Sequence, residues 1–79
     1  MKELLEIIAK NLVDHPEDVK IIVKEGARGD ILELRVNPKD MGKVIGKQGR
    51  IAKSIRLVMR AAAIHNNVFI SVEIESHGE

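Results

Sequence analysis

Apolar residues recur along this chain in two rhythms, and the points where one gives way to the other divide it into six elements. Residues 2–13 place Leu5, Ile8 and Leu12 at i, i+3 and i+7, the spacing of one helical face. Pro16 disfavours helical geometry at His15, so this helix is expected to end near Val13 or Asp14. Then the period shortens. Val19, Ile21 and Val23 alternate and are β-branched, which predicts a strand over 19–25. Gly26-Ala27-Arg28-Gly29-Asp30 reads as a turn with two glycines. Leu32, Leu34 and Val36 alternate with Ile31, Glu33 and Arg35 in a second strand over 31–36, so an antiparallel hairpin is expected. Whether the Ile31, Glu33 and Arg35 face lines a groove or meets water is not decided by the pattern.

Asn37-Pro38-Lys39-Asp40 then has the chemistry of a helix start. Asn37 can cap, Pro38 suits the first helical position, and Asp40 suits the positive end of the dipole. A short helix to Val44 or Ile45 is interrupted by Gly46 and Gly49, and a longer one runs from about Arg50 to Ile64. Asn66-Asn67 ends it. Val68, Ile70, Val72 and Ile74 alternate with Phe69, Ser71, Glu73 and Glu75 in a third strand, and Ser76 to Glu79 reads as a frayed tail. On the long helix Ile51, Ile55, Val58 and Ala62 share one side, which is assigned to the core. The order α-β-β-α-α-β predicts a single α+β domain over residues 1–79, with a three-stranded sheet packed on one side by helices.

Composition narrows the function. At 79 residues there is room for one small core. No cysteine is present, and His15, His65 and His77 lack the spacing of a local metal site, so no metal or cofactor is expected. Phe69 is the single aromatic residue, which argues against binding platforms that stack bases on several rings. No apolar run approaches the ~20 residues of a membrane span, and acidic residues interrupt the apolar N-terminal stretch, so a soluble, cytoplasmic domain is expected.

The formal charge of +1 conceals an asymmetry. Residues 39–60 hold Lys39, Lys43, Lys47, Arg50, Lys53, Arg56 and Arg60 against Asp40 alone, a candidate footprint for a polyanion. At its centre lies Val44-Ile45-Gly46-Lys47-Gln48-Gly49-Arg50-Ile51. The glycines allow a sharp turn and close approach of a ligand to the backbone. The helix that follows presents unpaired N–H groups and a positive dipole end, a natural place for phosphate. Lys47, Gln48 and Arg50 can bond phosphate oxygens. Aspartate at both glycines is expected to abolish binding and leave the fold intact, unless either glycine has a positive φ.

Enzymatic readings fare poorly. Gly42-Lys43-Val44-Ile45-Gly46-Lys47 is one residue short of a P-loop, and Gln48 stands where a magnesium-holding Ser or Thr belongs. Ser54, Ser71 and Ser76 have no histidine placed near them by sequence, and Glu73 with Glu75 reads as a solvated strand face. No catalytic residue is assigned.

The Val44–Arg50 segment resembles the signature of the KH-domain RNA-binding family, and the element order resembles its type II, bacterial-style form, over nearly the whole chain. In that family the Gly-x-x-Gly loop clamps about four nucleotides. The resemblance implies that Gly46, Lys47, Gln48 and Gly49 contact phosphate, and that Ile45 and Ile51 flank a narrow apolar groove for unstacked bases. Arg50 and Lys53 lie within reach of the same strand, and Arg56 and Arg60 are left to solvate the helix. It further implies an RNA chaperone or post-transcriptional regulator connected with cell-shape control. Such a protein works as a homodimer or with a larger KH-containing protein of the Jag type. The alternative is a KH-fold interaction module acting through such a partner with little RNA binding of its own. Leu57, Ala61 and Ile64 form a second apolar stripe on the long helix, and a homodimer contact is assigned to them.

Overall fold

The two rhythms separate in space as the pattern demands: period-two segments form one sheet and period-3.6 segments cover one of its faces. The computed structural model describes residues 1–76. Helix α1 spans Lys2–Leu12, strands β1 and β2 span Lys20–Gly26 and Gly29–Val36, helices α2 and α3 span Met41–Ile45 and Arg50–His65, and β3 spans Ile70–Ser76. Single 3-10 turns lie at Pro16–Asp18, Pro38–Asp40 and Lys47–Gly49. The sheet order is β1-β2-β3, with β1 and β2 antiparallel and β2 and β3 parallel. A parallel neighbour needs a crossover, which α2 and α3 supply. Among the described residues no helix is long and apolar enough to cross a membrane.

The core is built from Leu5 and Ala9 of α1, Leu32, Leu34 and Val36 of β2, Val44 of α2, Ile55 and Met59 of α3, Val72 of β3, and Val19 just before β1. Ile21 pairs with Leu34, and Leu32 with Val72, so one sheet face carries the aliphatic set. The other face carries Lys24, Glu33, Arg35, Glu73 and Glu75.

Three boundaries and the buried face of α1 differ from the sequence reading. The hairpin turn shrinks to Ala27-Arg28, because Gly26 and Gly29 pair as the last rung of the ladder. Strand β3 starts at Ile70 rather than Val68, because the preceding residues close α3. Asn67 takes φ 59, its N–H donates to Ile64 O at 3.1 Å, and Val68 N–H donates to Ala63 O at 3.0 Å. Ser76, assigned to a frayed tail, is the last residue of β3, and the rest of that assignment, 77–79, lies outside the described residues. In α1 the buried pair is Leu5 and Ala9, with Ile8 half-buried and Leu12 at the rim.

The core face of α3 is also turned by one position. Ala52, Ile55, Met59 and Ala63 are buried, whereas Val58 is 47% exposed and Ile51 and Ala62 are half-buried. Alanine lets the helix approach the sheet closely, and flexible Met59 fills the space between. The bulkier Ile51 and Val58 turn toward α1 and, with Leu4, Ile8 and Leu12, border an open apolar groove.

Candidate nucleic-acid interface

Two locks hold the start of α2 in place. Asn37 Oδ1 accepts from Lys39 N–H at 2.8 Å, the capping bond that its type suggested. Asp40 does more than complement a dipole. It is fully buried, and its carboxylate accepts from Asp14 N–H at 3.2 Å, His15 N–H at 3.0 Å and His15 Nδ1 at 2.9 Å. Burial pushes the Asp40 carboxyl up, but the bonds from His15 and the two backbone amides outweigh it and hold the group below the ordinary aspartate range. His15 is raised, first by its bond to Asp40. The segment between α1 and β1 is thereby fastened to the element that carries the glycine loop.

The loop itself is a run of unusual dihedrals. Helix α2 closes with Gly46 N–H donating to Gly42 O at 2.9 Å, and Gly46 turns the chain at φ 76, ψ 174. Gln48 follows at φ 57 and Gly49 at φ 73, and α3 begins at Arg50 with no side-chain cap. A Cβ on Gly46 would meet Ile51 Cγ1 at 2.6 Å, while one on Gly49 would meet nothing within 4 Å. Both glycines have a positive φ, the exception attached to the sequence expectation, so aspartate at both positions is expected to cost the fold as well as binding.

The residues singled out for this site converge. Lys47, Gln48, Arg50 and Lys53 are exposed at or just beyond the loop, and Arg50 Nη2 donates to Gln48 Oε1 at 3.4 Å. Ile45 is 36% exposed on one flank, and Ile51 packs under Gly46 on the other. The amino end of the 16-residue α3 directs its first N–H groups toward this turn. Because Asp40 is buried, every charged side chain that residues 39–60 expose is basic, and of these Lys43 pairs with Asp14 at 3.4 Å.

Arg56 and Arg60, left to solvate the helix in the sequence reading, stand beside β3. Strand β3 lies at a sheet edge, and Arg56 Nε donates to Val72 O at 3.2 Å across the space between α3 and that edge. With Arg60 and residues Ile70 to Val72, it borders a narrow cleft. The spacing of Lys53, Arg56 and Arg60 along one side of the helix was the available signal. What it lacked was the position of β3, which lies across the chain.

The undecided face of β2 belongs to the outer surface of the sheet, and its residues do not border this cleft. Glu33 is 1% exposed there, covered by Lys24 Nζ at 2.5 Å and by Arg35 Nε. Bonds from Lys24 and then Arg35 hold the Glu33 carboxyl below its ordinary range against the opposing effect of burial. Carboxylate oxygens of Glu73 and Glu75 lie within 4.8 Å of Glu33, and the Lys24 ammonium, 3.9 Å from Glu73, balances part of that charge.

Comparison with known proteins agrees with this geometry. The family model described as KhpA/KhpB, KH domain, matches residues 2–74. The protein named RNA-binding protein KhpA from Clostridium perfringens is 65% identical over 94% of this chain and 99% of its own. Proteins of the same name from Clostridium acetobutylicum and Borreliella burgdorferi are 60% and 49% identical, covering 94% and 91% of this chain and 99% and 88% of theirs. Among solved structures, a variant of Era from Aquifex aeolicus superposes with a TM-score of 0.63 at 20% identity. The match covers 95% of this chain and 29% of that one, a likeness of fold.

Proposed function

This chain belongs to the KhpA/KhpB family of KH domains, and from that premise we propose that it grips single-stranded RNA through Gly46-Lys47-Gln48-Gly49. The observation that carries this reading is the meeting of three phosphate-favouring features at one turn. These are a backbone opened by positive φ at Gly46, Gln48 and Gly49, the uncapped amino end of α3, and exposed Lys47, Arg50 and Lys53. The strand's sugar-phosphate backbone lies on the loop. Its bases enter past the exposed Ile45 into the cleft toward β3, held by aliphatic contact and by polar groups of the strand edge, while Ile51, turned toward α1, supports the loop from beneath Gly46. The protein acts in the cytoplasm as a post-transcriptional regulator or RNA chaperone, and no step of this function requires a cofactor.

Leu57 and Ile64 are each 68% exposed and Ala61 lies between them, so neither α1 nor the sheet covers this stripe. That supports a homodimer contact along α3, which brings two glycine loops onto one assembly, or the same contact with a larger Jag-type KH protein. A pure interaction module would use this face alone. The deciding variant is Lys47→Asp with Gln48→Asp. Both side chains are exposed, and aspartate tolerates the left-handed conformation at position 48. The folded variant is expected to lose at least tenfold in affinity for single-stranded RNA while its oligomeric state is unchanged. Unaltered RNA affinity refutes the loop assignment, and a wild type that binds no RNA while keeping its oligomeric contact favours the interaction module.

A further inference from the structure

Phe69 is the single aromatic residue of the chain, and its side chain stands in solvent at 79% exposure. Its backbone is fixed. Phe69 O accepts from Asp30 N–H at 3.2 Å, and the preceding Val68 is tied to Ala63 O at 3.0 Å. Gly29 packs against it so closely that a Cβ there would lie 2.2 Å from Phe69 O and 2.8 Å from Phe69 Cβ. Glycine at position 29, with φ 134, is thus what permits the hairpin to brace this residue from behind. A rigid mount with a solvent-facing ring keeps the entropic cost of using that ring low.

Its placement supplies the ligand. Helix α3 leads away from the glycine loop and β3 returns toward it, so Phe69 stands at the far end of the α3–β3 cleft. From Arg50 to Ile64 the helix rises roughly 21 Å. Arg60 and Ile70 border both the cleft beside Arg56 and the hollow at Phe69, so the surface is continuous. Arg28, on the hairpin turn, borders a second hollow with the same ring. An aromatic face flanked by guanidinium groups at the end of a basic cleft suits an unpaired base, with the ring stacking and the cations meeting phosphate.

We propose that Phe69 is a stacking platform for a nucleobase of single-stranded RNA beyond the nucleotides clamped by the glycine loop, with Arg60 contacting the intervening phosphates. This rests on the loop reading and extends the site along the full length of α3. The neighbouring Ile64 and Val68, 68% and 44% exposed, make a protein contact the rival use of the same ring.

Two substitutions separate the possibilities. Phe69→Trp introduces the chain's only indole into a protein without Trp or Tyr. Its emission is expected to be quenched by an oligoribonucleotide of about ten nucleotides and unaffected by one of about four. Phe69→Leu keeps the apolar area and removes the ring. It is expected to weaken the longer oligomer by about 5- to 100-fold. Affinity for the shorter oligomer and the sedimentation coefficient should stay unchanged. Equal affinity of the wild type and Phe69→Leu for the longer oligomer overturns the platform. So does an indole that the longer oligomer leaves unquenched, or a Leu variant that changes only the oligomeric state. If the wild type binds the short oligomer and Phe69→Leu has no effect on the long one, the platform alone fails. If the wild type binds neither, the loop reading falls and the platform with it.

Discussion

Gly46 and Gly49 bracket one loop but differ in what a methyl group would meet, so a pair of alanine substitutions separates backbone strain from crowding. Gly49 has φ 73 and ψ 17, and its Cβ position is open. The left-handed conformation costs an L-residue about 1–2 kcal/mol, which is the expected loss for Gly49→Ala. Gly46 has φ 76 and ψ 174, a region nearly confined to glycine, which costs up to about 3 kcal/mol. Its new Cβ would also sit 2.6 Å from Ile51 Cγ1 and 2.9 Å from Cδ1, and overpacking of that kind costs about 1–3 kcal/mol. Gly46→Ala is therefore expected to lose about 4 kcal/mol. A domain of this length holds about 4–12 kcal/mol in total, so the loss is a large fraction of it. Urea denaturation followed by far-ultraviolet circular dichroism measures both variants. Adding Ile51→Ala removes the crowded atoms and leaves the dihedral strain. Gly46→Ala and Ile51→Ala should then couple favourably by about 1–2 kcal/mol, and Gly49→Ala with Ile51→Ala not at all. Equal losses at the two glycines, or no coupling between positions 46 and 51, refute the reasoning.

Three further outcomes are expected. With about three to five phosphates engaged, the logarithm of RNA affinity should fall against the logarithm of salt with a slope of roughly −2 to −3.5, and a flat dependence contradicts the electrostatic footprint. His15 is raised by its bond to Asp40, so the stability it contributes is fully present below its unfolded value of 6.5 and is lost as pH rises through the higher folded value. Denaturation of the wild type and His15→Gln across neutral pH should show that decline only in the wild type, and parallel curves exclude the pair as its source. Leu57→Asp with Ile64→Asp should give a stable monomer with weaker binding to long RNA and unchanged binding to a short oligomer, because both side chains are exposed and linked sites gain avidity. Sedimentation of the variant as a dimer removes this stripe from the interface.

What could be read from the sequence was what depends on neighbours in the chain. The strands of the hairpin follow from alternation, the end of α3 from Asn66-Asn67, and the glycine turn from two residues and the charges beside them. The rotated core face of α3 was not legible, because a helical wheel weighs Ile51 and Val58 as the best apolar residues available. What decides burial is how near the helix must come to the sheet, and Ala52 and Ala63 permit an approach that Ile and Val do not.

The fate of Asp40 illustrates the other limit. Counted in sequence it subtracts from the basic segment, and its place at a helix start gives it a plausible local duty. Its partners are the backbone and ring of His15 and the backbone of Asp14, about 25 residues away, and no local pattern joins them. Once those bonds satisfy the carboxylate it can be buried without an uncompensated charge. Its burial takes the one carboxylate of residues 39–60 away from the surface a ligand can touch, while its charge remains part of the local field. The same contact thus stabilises the start of α2 and leaves only basic side chains among the exposed charges of this segment. Arg56 makes the complementary case. It adds to the positive count as expected, but its Nε also donates to Val72 O across the cleft between α3 and β3. On the proposed reading, a change at either residue acts on RNA binding through geometry and charge together. Lys53, whose side chain is exposed on the same helix, is the position where charge alone can be removed.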